Sequence, residues 1–503
     1  MNHSLIRNLI GKILILVAAL MVLPLLVSII YTIKKEDNWT DIISFLVPMM
    51  SMLIVGSILN IEKAKDKSIT AREGFVIVAL SWLVMSLFGC LPFIISKKIP
   101  NFFDAFFEIS SGFTTTGSSI LNDVSIETMG HSMLFWRSFS HWIGGMGILV
   151  FILAIIPESK DGSAVHILRA ESPGPTVDKI ATKTRVTTRI LYIIYIFLTL
   201  LEILFLLLGP DKKMDFFHSV IYSFGTAGTG GFGIDNFIEG GAVGFGQYTR
   251  YTQYVVSIFM LLFSVNFTIY YLLLLGKIKD VLKNEELRWF IVIVVLAVIL
   301  LILNIYHLYG TFEEVFRYSL FTTATIISTT GFANIDHTLW PTTAKMIIVV
   351  LMVIGGCAGS TAGGIKVTRL VILIKSSFKK IGQMINPKKV EVLIIDGKPV
   401  DEGTIDAVQT YIIFYILIFV TCGIIASLSL YNGEEVDLVT AFSASLTCIN
   451  NVGPGLSRII GPTGSFSGFA WYAKLALAFE MIAGRLELFP FFILFNPKTW
   501  FRR

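Results

Sequence analysis

The sequence predicts an all-α polytopic membrane protein: four pseudo-repeats of helix, pore helix, filter loop and helix around a central pore, plus two N-terminal transmembrane helices. Three observations carry this reading. The 503-residue chain is 54% hydrophobic and only 15% charged, with a mean hydropathy of +0.75, whereas a globular chain carries about 25% charged residues. Many apolar runs reach the roughly 20 residues that a helix needs to cross a bilayer. Finally, four short apolar stretches each end in a glycine-centred polar loop. Phe107, Ile221, Phe321 and Ser443 stand ten residues before Gly117, Gly231, Gly331 and Gly453, so the four units overlay without a gap.

Apolar runs place membrane helices at 12–32, 42–61, 73–96, 129–156, 187–209, 248–276, 289–309, 343–378, 408–430 and 469–497. The first run, Ile13 to Tyr31, follows Arg7 and Lys12. It is too long for a signal-peptide core and lacks a small-x-small cleavage pattern, so it reads as a retained helix. The four short stretches, 102–114, 215–227, 313–328 and 437–449, cannot span about 30 Å of hydrocarbon. Each begins near an acid (Asp104, Asp215, Glu313 with Glu314, and Asp437), which in a first helical turn suits the positive end of the macrodipole. They read as re-entrant pore helices that return through the glycine loop, since irregular backbone at that depth must line a wet cavity or be buried in protein. The chain then divides into an N-terminal helix pair, 1–68, and pore repeats 69–158, 159–280, 281–400 and 401–503. With a cytoplasmic N-terminus, 27 of the 40 Lys and Arg fall on the inner side, 12 fall on the outer side, and Arg485 lies within a helix. The positive-inside rule favours that orientation, with both termini cytoplasmic and all four loops on the outer side.

The loops read Thr114-Thr115-Thr116-Gly117-Ser118, Thr229-Gly230-Gly231-Phe232-Gly233, Ser328-Thr329-Thr330-Gly331-Phe332 and Asn450-Asn451-Val452-Gly453-Pro454-Gly455. Glycine permits the positive φ that turns consecutive carbonyls toward one axis. A ring of such carbonyls replaces the hydration shell of a monovalent cation without fixing it too tightly to leave. Small or hydroxylated residues before the glycine anchor the loop while their carbonyls face the pore. Thr115, Thr116, Thr229, Thr329 and Thr330 fit, and Asn451 with Val452 forms a looser fourth copy. In the second loop either Gly230 or Gly231 is the central glycine, and the following Phe232, matching Phe332 after Gly331, favours Gly231. One such loop reads equally well as a turn between helices, but four in register make a repeat. Gly228-x-Gly230-x-x-Gly233 matches a dinucleotide fingerprint, yet it lacks the strand and βαβ context that motif requires. Glu108 and Asp123 flank the first loop, either as cation-concentrating charges at its mouth or as solvated surface groups.

A second glycine cluster is different in kind. Gly355-Gly356-Cys357-Ala358-Gly359-Ser360-Thr361-Ala362-Gly363-Gly364 interrupts the segment 343–378. At about 1 kcal/mol for each interior glycine, the helix should break there. It reads as an intramembrane gate below the filter or as close helix packing through small residues. Arg485 sits inside the last apolar segment, where a charge is costly unless paired or hydrated. It either faces the pore and repels cations or pairs with Glu487 or Glu480. The lysines of 375–400 (Lys375, Lys379, Lys380, Lys388, Lys389) and the loop 158–186 with Pro173-Gly174-Pro175 are candidate docking surfaces, the lysines equally a contact for anionic lipid.

Other functions find little support. The net charge of +5 is modest and no basic stripe suggests nucleic acid. Cys90, Cys357, Cys422 and Cys448 lack metal-ligand spacing, and no nucleophile accompanies His141, His166 or His218, so no enzyme is expected. A rival reading is a secondary transporter, because broken helices also occur there; the scarcity of carboxylates placed for a proton relay weighs against it.

These motifs together, the loops at Gly117, Gly231, Gly331 and Gly453, the run Gly355 to Thr361 continuing through Lys366, and Gly484-Arg485-Leu486-Glu487-Leu488-Phe489, make the chain similar to the Trk/Ktr/HKT superfamily of potassium transport proteins. It resembles the bacterial Trk-type uptake subunit in particular, because the extra N-terminal helix pair is absent from the shorter Ktr type. The resemblance covers nearly the whole chain. It implies K+ as the transported ion and no organic cofactor. It also implies a homodimer in the bacterial cytoplasmic membrane and a cytosolic nucleotide-binding (TrkA-like) regulatory subunit. Backbone oxygens at Thr115, Thr116, Gly117, Thr229, Gly230, Gly231, Thr329, Thr330, Gly331, Asn451, Val452 and Gly453 would bind the ion. Gly355, Gly356, Gly359, Ser360, Thr361, Gly363, Gly364 and Lys366 would form the gating loop, with Arg485 beside it.

Overall fold

Helix dominates wherever the sequence is apolar, because main-chain groups in hydrocarbon must be satisfied within their own segment. The structure, a computed structural model, describes residues 1–62, 69–122, 124–147, 184–234, 243–387, 391–431 and 433–500. Six of its helices are long and apolar enough to cross a membrane, or seven if Arg250–Phe263 and Phe267–Leu274, bent by 90°, form one span. Their outward faces are apolar: Ile193, Phe197, Leu200, Leu204, Ile291, Val295, Ile299, Ile413, Leu417 and Ile424 are all exposed, as a lipid-facing perimeter requires. Among the described residues, strand is confined to two short hairpins, Ile394–Ile395 with Lys398–Pro399 and Leu430–Tyr431 with Glu434–Glu435.

The four short stretches form buried helices at Phe102–Phe113, Phe216–Gly228, Phe312–Ile327 and Leu438–Asn450. Each is N-capped by a side chain accepting from the first turn: Asn101, Asp215, Thr311 and Asp437. Two of the acids expected inside the first turn are therefore the caps themselves. Their packing is cyclic. Phe102–Phe113 lies between His131–Gly145 and Trp471–Arg485; Phe216–Gly228 between Arg250–Phe263 and His131–Gly145. Phe312–Ile327 lies between Thr342–Val353 and Arg250–Phe263; Leu438–Asn450 between Trp471–Arg485 and Thr342–Val353. Every pore helix is thus wedged between the second helix of its own repeat and that of the preceding one, and the fourth repeat closes on the first.

Several predicted spans are not continuous. The span 73–96 is Ala71–Gly89 and Leu91–Ile95, interrupted at Cys90, just before Pro92. The span 248–276 bends at Ser264–Asn266, where the Asn266 side chain caps the next helix. The span 469–497 stops at Arg485 and resumes at Phe489, across Glu487 and Leu488, both in the left-handed region. The expected break in 343–378 is present: Thr342–Val353 ends before the glycine cluster and Val367–Ile385 follows it. Of the span 129–156, the helix His131–Gly145 is described; its end, Asp123, the loop 158–183, Lys388 and Lys389 lie outside the described residues.

The N-terminal helices His3–Leu20 and Trp39–Leu59 cross at Gly11 and Gly56. A Cβ on Gly11 would lie 2.7 Å from the Gly56 oxygen, and one on Gly56 2.8 Å from the Gly11 oxygen. Without a hydrophobic force between helices in lipid, such close approach is what holds a pair together. We expect Gly56→Leu to destabilise this pair by about 1–3 kcal/mol through overpacking, read as a lower melting temperature in detergent, with ion selectivity unchanged.

Candidate ion-conduction site

Each pore helix ends in the same turn. Thr115, Thr229, Thr329 and Asn451 adopt left-handed conformations with φ of 55°, 55°, 56° and 54°. The following amides, of Thr116, Gly230, Thr330 and Val452, bond back five residues to the oxygens of Ser111, Gly225, Thr325 and Thr447 at 2.9, 2.9, 2.9 and 3.0 Å. This closure satisfies helix-end carbonyls. It places β-branched threonine where it is rarely found, so the surroundings must hold the turn in place. Gly117, Gly231, Gly331 and Gly453 come next, with φ of 80°, 76°, 84° and 107°. The register makes Gly231, not Gly230, the counterpart of the other three.

The four glycines interlock in a ring. A Cβ on Gly117 would meet the Gly230 oxygen at 2.0 Å, one on Gly231 the Thr330 oxygen at 1.9 Å, and one on Gly331 the Val452 oxygen at 2.1 Å. One on Gly453 would meet the Thr116 oxygen at 2.9 Å. Each repeat's glycine thus abuts the main-chain oxygen of the next, and the fourth returns to the first. Above the ring, Gly117, Gly231, Gly331 and Gly453 line a cavity of about 90 Å³.

Side chains brace the ring from behind. Thr114 and Thr116 share a hydroxyl contact of 2.7 Å, as do Ser328 and Thr330, and Asn451 Nδ2 donates to Thr116 Oγ1 at 2.9 Å. His141 bridges two repeats: its Nδ1 lies 2.7 Å from the Gly112 oxygen and its Nε2 accepts from the Phe232 amide at 3.2 Å. A Cβ on Gly230 would lie 2.2 Å from the His141 ring, which explains why glycine stands where loops one and three carry threonine. Beside the cavity, Glu108 is fully buried and accepts from Arg137 at 2.8 Å and from the Ile120 amide at 2.9 Å. Arg137 stacks over Phe232 at 3.9 Å. Glu108 is therefore a neutralised internal brace and not a solvated charge at the mouth. Arg137 and His141 were legible only as polar residues within a predicted span, the signal that singled out Arg485.

The glycine cluster between Thr342–Val353 and Val367–Ile385 folds into a hairpin-like loop. The Gly355 amide donates to Ile365 at 3.0 Å and the Ile365 amide to Val353 at 3.1 Å. A Cβ on Gly355 would lie 1.9 Å from the Gly363 oxygen. The loop meets the break at Ser264–Asn266: Cys357 N donates to Ser264 O at 2.9 Å and Phe267 N to Gly359 O at 3.1 Å. Gly356 and Gly364 lie in the same close approach, a Cβ on Gly356 falling 2.8 Å from the Ser264 oxygen and one on Gly364 2.9 Å from Gly355 Cα. Ser360 Oγ donates to Cys357 O at 2.7 Å, and Lys366 Nζ donates to the Ala362 oxygen. Arg485 donates to Thr361 O at 2.6 Å, to Gly144 O at 2.8 Å and to Gly145 O at 2.6 Å. Glu487 is engaged by Arg369, and Glu480 accepts from Ser445 Oγ at 2.6 Å. Of the docking lysines, Lys375 is tied to Glu285 at 2.5 Å and Lys379 to Glu402 at 2.6 Å, contacts that fasten neighbouring helices together.

The Glu108–Arg137 pair gives a sharp stability test. Arg137→Ala leaves a buried carboxylate without its cation, held only by the Ser119 hydroxyl and the Ile120 amide, at a cost of about 3–5 kcal/mol, so the folded yield should collapse. Adding Glu108→Gln to Arg137→Ala should restore much of it, as measured by size-exclusion profile and melting temperature.

Comparison with known proteins identifies the family. The TrkH family, described as a cation transport protein, matches residues 43–501. The Trk system potassium uptake protein TrkH of Escherichia coli K12 is 32% identical over 507 residues, spanning 99% of this chain and 100% of that protein. TrkH of Vibrio parahaemolyticus is 32% identical, covering 99% of each chain. The crystal structure of the potassium transporter TrkH from Vibrio parahaemolyticus superposes over the full length of both chains with a TM-score of 0.85 at 29% identity. The protein is a multi-pass membrane transport protein and not an enzyme, and it belongs to the TrkH family of cation transport proteins.

Proposed function

We propose that this chain takes up potassium across the bacterial cytoplasmic membrane by gated conduction through the ring of filter loops. The carrying observation is the closed interlock of Gly117, Gly231, Gly331 and Gly453 with the oxygens of Gly230, Thr330, Val452 and Thr116. Main-chain oxygens held this way stand in for water around K+. The ligating backbone is that of residues 115–117, 229–231, 329–331 and 451–453, one three-residue segment from each repeat. Accumulation needs no chemical step, since the membrane potential contributes about 2.3 kcal/mol per charge per 100 mV. The segment 355–366 is the gate, held shut with Arg485. The unit works as a homodimer with cytoplasmic termini, under a cytosolic nucleotide-binding regulatory subunit. The names and full-length similarity of the Trk system relatives support that assignment.

One observation keeps a coupled carrier in view. Glu202 and Glu480 are fully buried, Glu480 against the fourth pore helix through Ser445, so carboxylates are less scarce inside than the sequence suggested. Reconstitution in liposomes with reversal-potential measurement in mixed potassium and sodium, at two pH values, separates the readings. Conduction gives a reversal potential set by permeant ions alone, whereas coupling displaces it by a fixed stoichiometry.

Two variants test the pore and its gate. Gly331→Ser forces a side chain onto the Val452 oxygen at a position with φ of 84°. Strain there is on the order of 1–3 kcal/mol, and we expect the potassium-to-sodium permeability ratio to fall roughly tenfold. Arg485→Ala removes charge-assisted bonds worth about 1.5–3 kcal/mol each, so basal potassium flux without any partner should rise roughly tenfold or more. An unchanged ratio or an unchanged flux overturns the corresponding assignment.

A further inference from the structure

The four left-handed residues at the filter turns share one backbone conformation, so their side chains occupy equivalent positions in the ring. They do not make equivalent contacts. Thr115 Oγ1 is buried without a hydrogen-bond partner among the described residues. Asn451 Nδ2 donates within the framework, to Thr116 Oγ1 at 2.9 Å and to Met481 O at 3.0 Å. The other two reach the intramembrane loop. Thr229 Oγ1 shares its proton between Gly228 O of its own turn at 2.6 Å and Thr361 O at 2.8 Å, and Thr329 Oγ1 accepts from the Gly363 amide at 2.6 Å.

We propose that the hydroxyls of Thr229 and Thr329 latch the intramembrane loop onto the filter, so that release of the loop and relaxation of the second and third filter turns are one event. This rests on reading 355–366 as the gate. The two bonds fall on residues 361 and 363, and the same short segment also touches the fourth turn. A Cβ on Gly363 would lie 2.4 Å from the Asn450 oxygen and 2.9 Å from Asn451 Cβ. Arg485 shares the Thr361 oxygen with Thr229 and carries the connection to Gly144 and Gly145 of the first repeat. Two residues of one loop, Thr361 and Gly363, are therefore fastened, directly or through Arg485, to all four repeats. A loop that merely filled space would have no reason to bond at symmetry-equivalent positions of two of them. Coupling of this kind is reciprocal: whatever loosens the loop also frees two turns whose next residues carry the ring oxygens.

The test uses Thr→Val, which exchanges hydroxyl for methyl at nearly constant shape, with Thr→Ser retaining the hydroxyl. In the full-length protein in liposomes, each net hydrogen bond contributes a factor of roughly five to the closed state, so Thr229→Val with Thr329→Val should raise basal potassium flux roughly twentyfold. The paired serine variants, which keep both hydroxyls, should raise flux several-fold less than the paired valine variants. Amide hydrogen exchange over 355–366 reads the latch without any ion passing: it should accelerate several-fold in the valine variants and not in the serine variants. If the valine variants do not fold, Gly363→Ala, which displaces the segment from the Asn450 side, should give the same accelerated exchange. Unchanged exchange in folded valine variants, or equal acceleration by valine and serine, overturns the latch. Folded valine variants that show accelerated exchange yet pass no potassium overturn the pore reading instead, while the exchange comparison still decides the latch.

Discussion

Contact between each filter glycine and the main-chain oxygen of the following repeat is the constraint on which the rest of the architecture depends. Four separate hairpins of one chain must arrive at that contact together, because each supplies both a glycine and an oxygen. A side chain at any of the four positions would take the space of a neighbour's carbonyl, which is backbone and cannot swing aside. The identical pore-helix ends follow from this. The left-handed residue and the five-residue back-bond aim each hairpin at the ring, and wedging between two second helices keeps it there. The left-handed threonines are strained positions of the kind that surrounding structure must over-determine, and here the five-residue back-bonds and the interlocked glycines do so.

Helix breaks are the second recurring device. An interrupted helix exposes amides and carbonyls that hydrocarbon cannot solvate. The breaks at Ser264–Asn266 and at residues 354–366 meet and bond to each other, so each makes the other tolerable. The break after Arg485 lies beside them, with Glu487 held by Arg369 and Arg485 bonded to three main-chain oxygens. Broken backbone and buried charge are thus gathered together beside the ring. Elsewhere the buried charges are braces, as Glu108 with Arg137 and Asp104 with Lys474 at 2.6 Å.

Four turns with one backbone have been given different neighbours. Loop two has glycine at residue 230 because His141 fills the side-chain space, loop four carries asparagine and valine and packs against Gly363, and the hydroxyls of loops two and three bond to the intramembrane segment. The pseudo-fourfold ring is symmetric where oxygens meet and asymmetric behind. One chain can therefore keep a closed ring while tying each repeat differently to the intramembrane segment, which four identical subunits cannot do.

Much of this was legible in the chain. Apolar run length determined the membrane character, and ten-residue spacing ahead of four glycines determined the pore helices to within a residue or so, because a helix cannot span hydrocarbon with too few residues. Glycine density in 355–364 determined that the segment would break, since no helix tolerates so many. The register of the second loop stayed open between Gly230 and Gly231 until backbone conformation and the His141 ring decided it. The break at Ser264–Asn266 carries too little local signal to see, and the intramembrane segment satisfies its freed groups, whereas those at Cys90 and Glu487–Leu488 close through back-bonds within their own segments. Likewise Glu108 reads from sequence as either a cation-concentrating charge or a solvated surface group, and becomes an internal brace only when Arg137 is folded against it. Local length and backbone freedom are properties of a segment; who fills a gap, or neutralises a charge, is a property of residues brought together from hundreds of positions apart.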